Sequence, residues 1–175
     1  MTELNVKELR AAAPALKCGE EILLSGTVYT ARDAAHKRFF AALDRGDELP
    51  IPIEDSVIYY CGPTPAPAGL AIGSAGPTTS TRMDGFAPRL YDMGMIATIG
   101  KGERDAAVVD AIIRNKALYL CALGGAGAIC ANSIKECKVA AYEELGCESV
   151  KMLRIEKMPL FVACDIYGNS IYKRF

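Results

Sequence analysis

Hydrophobic and polar positions follow two rhythms along this chain. Glu21 to Tyr29 (EILLSGTVY) is rich in β-formers and predicts a strand. The segment after it, AAHKRFFAAL, brings Ala34, Ala35, Phe39, Ala42 and Leu43 round at helical spacing, with Thr30 or Asp33 as cap and Gly46 as stop. Residues 47–56 read as a Pro-containing loop, and SVIYYC (56–61) as a second strand. In GPTPAPAG, three prolines within five residues fix φ and remove donors, which predicts a stiff turn. Leu70 to Ser74 reads as a third strand, and a helix carrying Met83, Phe86, Leu90 and Tyr91 follows, ending at Gly94. Met95–Ile99 predicts a short strand. Asp105–Lys116 predicts a helix with Ala106, Val109, Ile112 and Ile113 on one face, and Ala117–Leu123 a strand before a helix opened by Gly124-Gly125-Ala126-Gly127. SVKMLRIEKM and PLFVACDIYGNSIYKRF read as strands, with Tyr167-Gly168-Asn169 as a hairpin tip. The first twenty residues form an entry segment that Pro14 and Gly19 keep from becoming a long helix. Strands alternating with helices predict one α/β domain over residues 1–175, with a mixed central sheet flanked by helices.

Composition narrows the function. Apolar residues make up 51% of 175, enough for a core. Twenty Lys and Arg against 21 Asp and Glu leave a net charge of −1, so no broad basic face for nucleic acid is expected. His36 is the only histidine, which excludes a metal site built on several of them. Seven cysteines without a C-x-x-C pair suit a reduced, cytoplasmic setting, where most act as small hydrophobes. No apolar run is long enough to span a membrane, and the charged start MTELNVKELR lacks the core of a signal peptide.

Three turns that lead from a strand end toward a helix hold the candidate chemistry, because ligands of α/β sheets bind outside the carboxyl ends of strands. They are Thr30 to His36, Gly76 to Arg82, and Gly100-Lys101-Gly102. Arg32 and Arg82 each offer a planar fork to a carboxylate, Lys101 adds a point charge between two glycines, and Thr78 and Thr79 belong to a hydroxyl cradle. Together they suit a small dianion. Each also has a plainer reading: a surface pair for Arg32, caps for the hydroxyls, a solvated lysine for Lys101. His36 falls one helical turn after Arg32, and Asp84 is placed to pair with Arg82. GPTTST lacks the P-loop pattern, and GGAG lacks the dinucleotide spacing and reads as a packing element. Cys18, beside Lys17, is the candidate for a reactive thiol.

GTVYTARDAAHKR (26–38), IYYCGPTPAPAGLAIGSAGPTTSTRMD (58–84), IGKG (99–102) and YEELGCESVKMLRIEKMPLFVACDIYGN (142–169) resemble the β subunit of the iron–sulfur hydro-lyases, class I fumarase and L(+)-tartrate dehydratase. The resemblance covers nearly the whole chain. It implies a swivelling β/β/α domain and reversible addition of water across the double bond of a small dicarboxylic acid. It also implies a [4Fe-4S] cluster ligated by a partner α subunit rather than by this chain, within a homo-oligomer or an α2β2 assembly. By position, Arg32, Arg82 and Lys101 would hold the substrate's carboxylates, and Thr78 would act at the proton-transfer step beside Thr79. His36 would orient or relay, so the catalytic set is Thr78, His36 and Lys101 and no residue here ligates metal. Thr81 stands where many relatives carry Gly. The Met83-Asp84 pair and TARDAAHKR favour fumarate over tartrate, and a non-catalytic anion-binding or assembly module is the contrasting expectation.

Overall fold

A computed structural model describes residues 1–122 and 127–173. Its elements in chain order are β1 (Thr2–Asn5), the single turn α1 (Leu9–Ala12), β2 (Glu21–Thr30), α2 (Asp33–Asp44), β3 (Val57–Tyr59), α3 (Ala87–Asp92), β4 (Ala97–Gly100), α4 (Ala106–Asn115), β5 (Leu118–Cys121), α5 (Gly127–Ser133), β6 (Ile134–Ala141) and β7 (Val150–Cys164). Short 3-10 segments lie at Val6–Glu8, Ser80–Met83 and Glu143–Glu148.

The sheet is mixed and its pairing closes on itself. β2, β3, β4 and β5 pair in that order, all parallel. β7 then runs antiparallel to both ends of the series, meeting β2 over Met152–Phe161 and β5 over Phe161–Cys164. Its 15 residues make that double reach possible. β1 lies parallel beside the first half of β2, and β6 runs antiparallel to the first part of β7. The long β2–β7 ladder slips between Leu24 and Gly26, where Gly26 has φ +124° and Lys157 on the facing strand has φ +48°. Lys157 N donates to Ser25 Oγ at 2.9 Å, so the bulge keeps a partner for that donor.

Strand alternation divides the core in two. Ile22, Leu24, Val28, Val57, Tyr59, Ile99, Leu120, Leu153 and Val162 pack together on one face, with Leu9 and Leu16 from the entry segment. Ile58, Tyr60 and Tyr119 face the other way and are covered by Phe39 of α2, Leu90 and Tyr91 of α3, and Val108 and Ile112 of α4. Both faces of the parallel strands are therefore dry, and β3, β4 and β5 are buried at every position, with Thr98 their one plainly polar residue.

Several expectations need correction. Leu70–Ser74 is no strand: Thr64 N donates to Ser74 O at 3.0 Å and Ser74 N to Thr64 Oγ1 at 2.8 Å, folding the proline turn back on itself. The entry segment contributes β1, hidden from a pattern search by its charged, exposed outer half. The helix after the hydroxyl run is split into the 3-10 turn and α3, with Pro88 in the first turn of the latter. On α4 the buried face is Val108, Ala111 and Ile112, while Ala106 and Ile113 are exposed. The two C-terminal strands are one, since β7 continues through Pro159, and β6 went unseen because its outward positions are mostly polar or charged. Asp165 Oδ1 accepts from Tyr167 N and Asn169 N and builds the expected turn, but only a single bridge, Cys164 to Ser170, follows it. Arg32 caps α2 by its backbone alone, and Thr30 instead donates to Ser149 O at 3.3 Å. Of Gly124 to Gly127 only the last lies within the described residues; a Cβ there would stand 2.4 Å from Ser74 Oγ. Among the described residues no helix is long and apolar enough to cross a membrane.

One charged pair lies wholly inside. Arg104 Nε is 2.6 Å from Asp84 Oδ1, with the two side chains 1% and 6% exposed. Asp84 therefore pairs with Arg104 rather than Arg82, and its second oxygen accepts from Asp105 N at 2.8 Å. Arg104 also donates to Thr98 Oγ1 at 2.9 Å and to Tyr60 Oη at 3.2 Å. Removing one partner of a satisfied buried pair strands the other charge. Arg104→Met is expected to lower unfolding free energy by about 3–5 kcal/mol, read from urea denaturation; a loss below about 1 kcal/mol would show that Asp84 finds relief elsewhere.

Candidate functional site

β2, β3 and β4 are parallel neighbours, so their carboxyl ends at Thr30, Tyr59 and Gly100 face the same way. Past β2, Ala31 N still donates to Tyr59 O at 3.1 Å, which holds the turn into α2 against β3. Arg32 follows, and its side chain crosses the backbone of Gly62. A Cβ at Gly62 would stand 2.7 Å from Arg32 Nη1, so a side chain there would push the guanidinium from this position. Past β3, Tyr60 O accepts from Thr78 N at 2.7 Å, drawing the hydroxyl run back to the strand end it left. Past β4, Lys101 and Thr79 form a single parallel bridge, with Ser80 N donating to Lys101 O at 2.9 Å. A Cβ at Gly100 would stand 1.9 Å from Ser80 Oγ, so that close approach also demands glycine. Thr78 and Thr79 thus span the ends of β3 and β4, and Arg32 stands at the end of β2.

Arg82 reaches across from the 3-10 turn to the start of α2. Its Nη2 lies 2.7 Å from Asp33 Oδ2 without hydrogen-bond alignment, and its Nε donates to Asp33 Oδ1 at 3.3 Å. Arg32 Nε stands 3.8 Å from Glu148 Oε1, too far for a hydrogen bond, and both atoms are buried without another partner. The structure therefore gathers Arg32, Thr78, Thr79, Arg82 and Lys101 at one end of the sheet. Each arginine has a carboxylate beside it, while Thr79, Arg82 and Lys101 remain exposed.

His36 lies beneath this surface and is 0% exposed. Its Nδ1 is 2.7 Å from Arg32 O; a carbonyl only accepts, so Nδ1 carries the proton. Nε2 is buried with no partner, and Phe39, Tyr60 and Phe86 surround the ring at 5.4–5.8 Å. Burial lowers its pKa to about 4, against the opposing pull of the Arg32 carbonyl and Asp33 and with some help from Arg104.

Residues 1–175 match the family model described as Fumarase C-terminus. The chain belongs to the fumarase C-terminus family. Fumarate hydratase 2 of Leishmania major is 39% identical over 158 residues, 89% of this chain and 28% of that protein. The anaerobic class I fumarate hydratase of Escherichia coli is 37% identical over 171 residues, 97% of this chain and 31% of that protein. A protein of Methanocaldococcus jannaschii, provisionally named L(+)-tartrate dehydratase subunit beta, is 37% identical over 179 residues, 99% of this chain and 88% of the relative. The chain thus spans about three tenths of the length of the fumarate hydratases it matches.

The described residues of this family member do not by themselves fit an iron–sulfur cluster. Among the described residues no three His, Cys, Asp or Glu side chains converge as a metal site. Cys61, Cys121, Cys130 and Cys164 are buried in the core, and all seven thiols are free. Burial and Asp165 push the Cys18 thiol up rather than down, so it is no activated nucleophile, and Cys147 is the exposed one. The sequence reading missed Glu148, Tyr119 and Arg104. Glu148 carries no motif, whereas Arg104 follows Gly100-Lys101-Gly102 closely enough to have drawn notice.

Unfolded, His36 titrates near 6.5; folded, near 4. Between those values the unfolded chain binds the extra proton, so this contribution to stability is complete above pH 6.5 and is lost as pH falls toward 4. The loss amounts to about 3 kcal/mol. His36→Asn keeps a short donor for the Arg32 carbonyl and has nothing to titrate. Its stability measured at pH 7 and pH 4.5 is expected to fall less steeply than that of the parent; parallel slopes would refute a neutral buried imidazole.

Proposed function

We propose that this chain is the β part of a [4Fe-4S]-dependent hydro-lyase that hydrates fumarate reversibly to (S)-malate and supplies the grip on the dicarboxylate. The observation that carries the reading is the convergence of two guanidinium forks, an ammonium and two threonines at three adjacent strand ends. Family membership supports the reaction class, because relatives are named fumarate hydratase and tartrate dehydratase. In this reading the cluster and the chemistry it supplies belong to a partner α subunit, in keeping with a relative named as a beta subunit. The partner would close over the exposed side of Thr79, Arg82 and Lys101 by a swivelling movement of this domain, in the cytoplasm.

In this reading Arg32 and Arg82 each exchange a resident carboxylate, Glu148 or Asp33, for one of the substrate's. Lys101 adds a single positive charge from a backbone tied to Thr79. Thr78 serves the proton-transfer step. A threonine hydroxyl is a weak base, and it works there only with help from a cation such as Lys101. His36 is neutral at pH 7 and acts from below, fixing the Arg32 carbonyl and with it the start of α2. Holding the diacid at both ends removes its rotational freedom before reaction.

The Methanocaldococcus jannaschii relative, aligned over 88% of its length, gives tartrate the second place as substrate. Fumarate and tartrate differ by hydroxyls, which a site separates by how its buried polar groups are paired.

The test is anaerobic co-production with the cluster-bearing chain encoded alongside, followed by fumarate absorbance on adding malate and a separate assay with L-tartrate. Activity is expected with both chains together and with neither alone. Arg82→Ala should lower kcat/KM by about a hundredfold, the equivalent of a lost charge-assisted clamp of roughly 3 kcal/mol. An assembled, cluster-loaded complex inactive on both acids would overturn the substrate reading.

A further inference from the structure

We infer that Tyr119, acting through Ser80, is a positioning residue that sets the backbone of Lys101 and Thr79. The inference rests on the dicarboxylate reading above and extends it to residues below the surface.

Tyr119 is 1% exposed and cannot itself touch a ligand. Its hydroxyl has one proton and two neighbours, Gly102 O at 2.8 Å and Ser80 Oγ at 2.9 Å. A carbonyl only accepts, so the Tyr119 proton goes to Gly102 and Ser80 must donate to Tyr119. Ser80 N in turn donates to Lys101 O at 2.9 Å. Two consecutive carbonyls, those of Lys101 and Gly102, are therefore held by one Ser80–Tyr119 unit. Gly102 N closes the loop from the other side by donating to Tyr172 Oη at 3.2 Å. The Lys101 backbone is held on both flanks, and its side chain is exposed.

Neighbouring packing fixes the tyrosine. The Arg104 guanidinium lies 4.8 Å from the Tyr119 ring and 5.3 Å from the Tyr60 ring. Tyr60 is the residue whose carbonyl holds Thr78. A single buried cation thus braces both tyrosines that serve the two halves of the site. Gly100 completes the arrangement, since any side chain there would occupy the place of Ser80 Oγ.

Tyr91→Phe is the matched control. It too removes a buried tyrosine hydroxyl, one bonded to Thr98 Oγ1 at 2.8 Å and Leu118 O at 2.9 Å, with no bond to Ser80, Lys101 or Gly102. In the co-produced complex Tyr119→Phe is expected to lower kcat/KM about tenfold, the equivalent of one lost hydrogen bond, while Tyr91→Phe stays within about threefold. Ser80→Ala is expected to match Tyr119→Phe, and the double variant to be no worse than either, because both cut one chain. Amide exchange in the full chain alone gives a readout without activity: the Ser80 and Gly102 amides should exchange at least about tenfold faster in Tyr119→Phe, and unchanged in Tyr91→Phe. Equal losses for the two phenylalanine variants, additive effects in the double variant, or unaltered exchange would each overturn the inference. A complex inactive on both acids would instead sink the hydro-lyase reading, with amide exchange still deciding whether Tyr119 holds Lys101. Should Tyr119→Phe fail to fold, Ser80→Ala carries the same exchange and kinetic comparison.

Discussion

The antiparallel grip of β7 on both β2 and β5 is the constraint from which the rest follows. A parallel series of strands has two open edges, and each would expose a row of unpaired backbone groups. One strand of 15 residues satisfies both, and in doing so fixes the curvature and register of the four strands between. Register is what matters for the site. Strands aligned in parallel end together, so turns far apart in sequence emerge at one level. Arg32, Thr78 and Lys101 meet because their strands do, and the local turn chemistry only refines where each side chain stands.

Beneath that level the protein keeps a charged and aromatic layer where a purely apolar one would have been simpler. Asp84 and Arg104 neutralise one another, and the remaining donors of Arg104 go to Thr98 and Tyr60. A satisfied buried network of this kind is directional in a way that leucines are not. It specifies one orientation for each tyrosine ring; the Tyr119 hydroxyl holds the lysine turn, whereas Tyr60 holds Thr78 through its backbone carbonyl. His36 plays a comparable part under Arg32, with burial keeping the imidazole neutral. Among the described residues, the polar groups that stay unpaired, Arg32 Nε, Glu148 Oε1 and His36 Nε2 among them, cluster at the same end.

Much of this was legible in the sequence, and for identifiable reasons. β2 and α2 are long enough for their periods to show, and the glycine and proline punctuation marked the turns around them. The three strand-end segments were found as candidates because each combines a cation or hydroxyls with a flexible or capped turn. What stayed hidden depended on distance. Leu70–Ser74 looks like a strand by composition, yet its backbone hydrogen bonds stay within the proline turn, to Pro67 and Thr64. Asp84 looked like the partner of Arg82 because it is close in sequence; in space Asp33 is nearer, 49 residues away along the chain. The buried face of α4 was misread by one position, enough to exchange Ile113 for Val108 and Ala111. Glu148 could not be found at all, as nothing near it in sequence announces that the chain folds back over Arg32.

The carboxylates already seated beside the two arginines have a consequence for how this surface handles anions. Under the proposed role, a dianion arriving there would not meet bare cations. It would replace Glu148 and Asp33, so each guanidinium would have a negative neighbour before and after, and the net gain would be a small difference between two similar terms. An ion exchanger of that kind would discriminate by shape more than by charge. The displaced side chains would stay tethered within reach of the arginines, so release would cost little. A reaction that runs both ways between acids of equal charge would be well served by that near-balance.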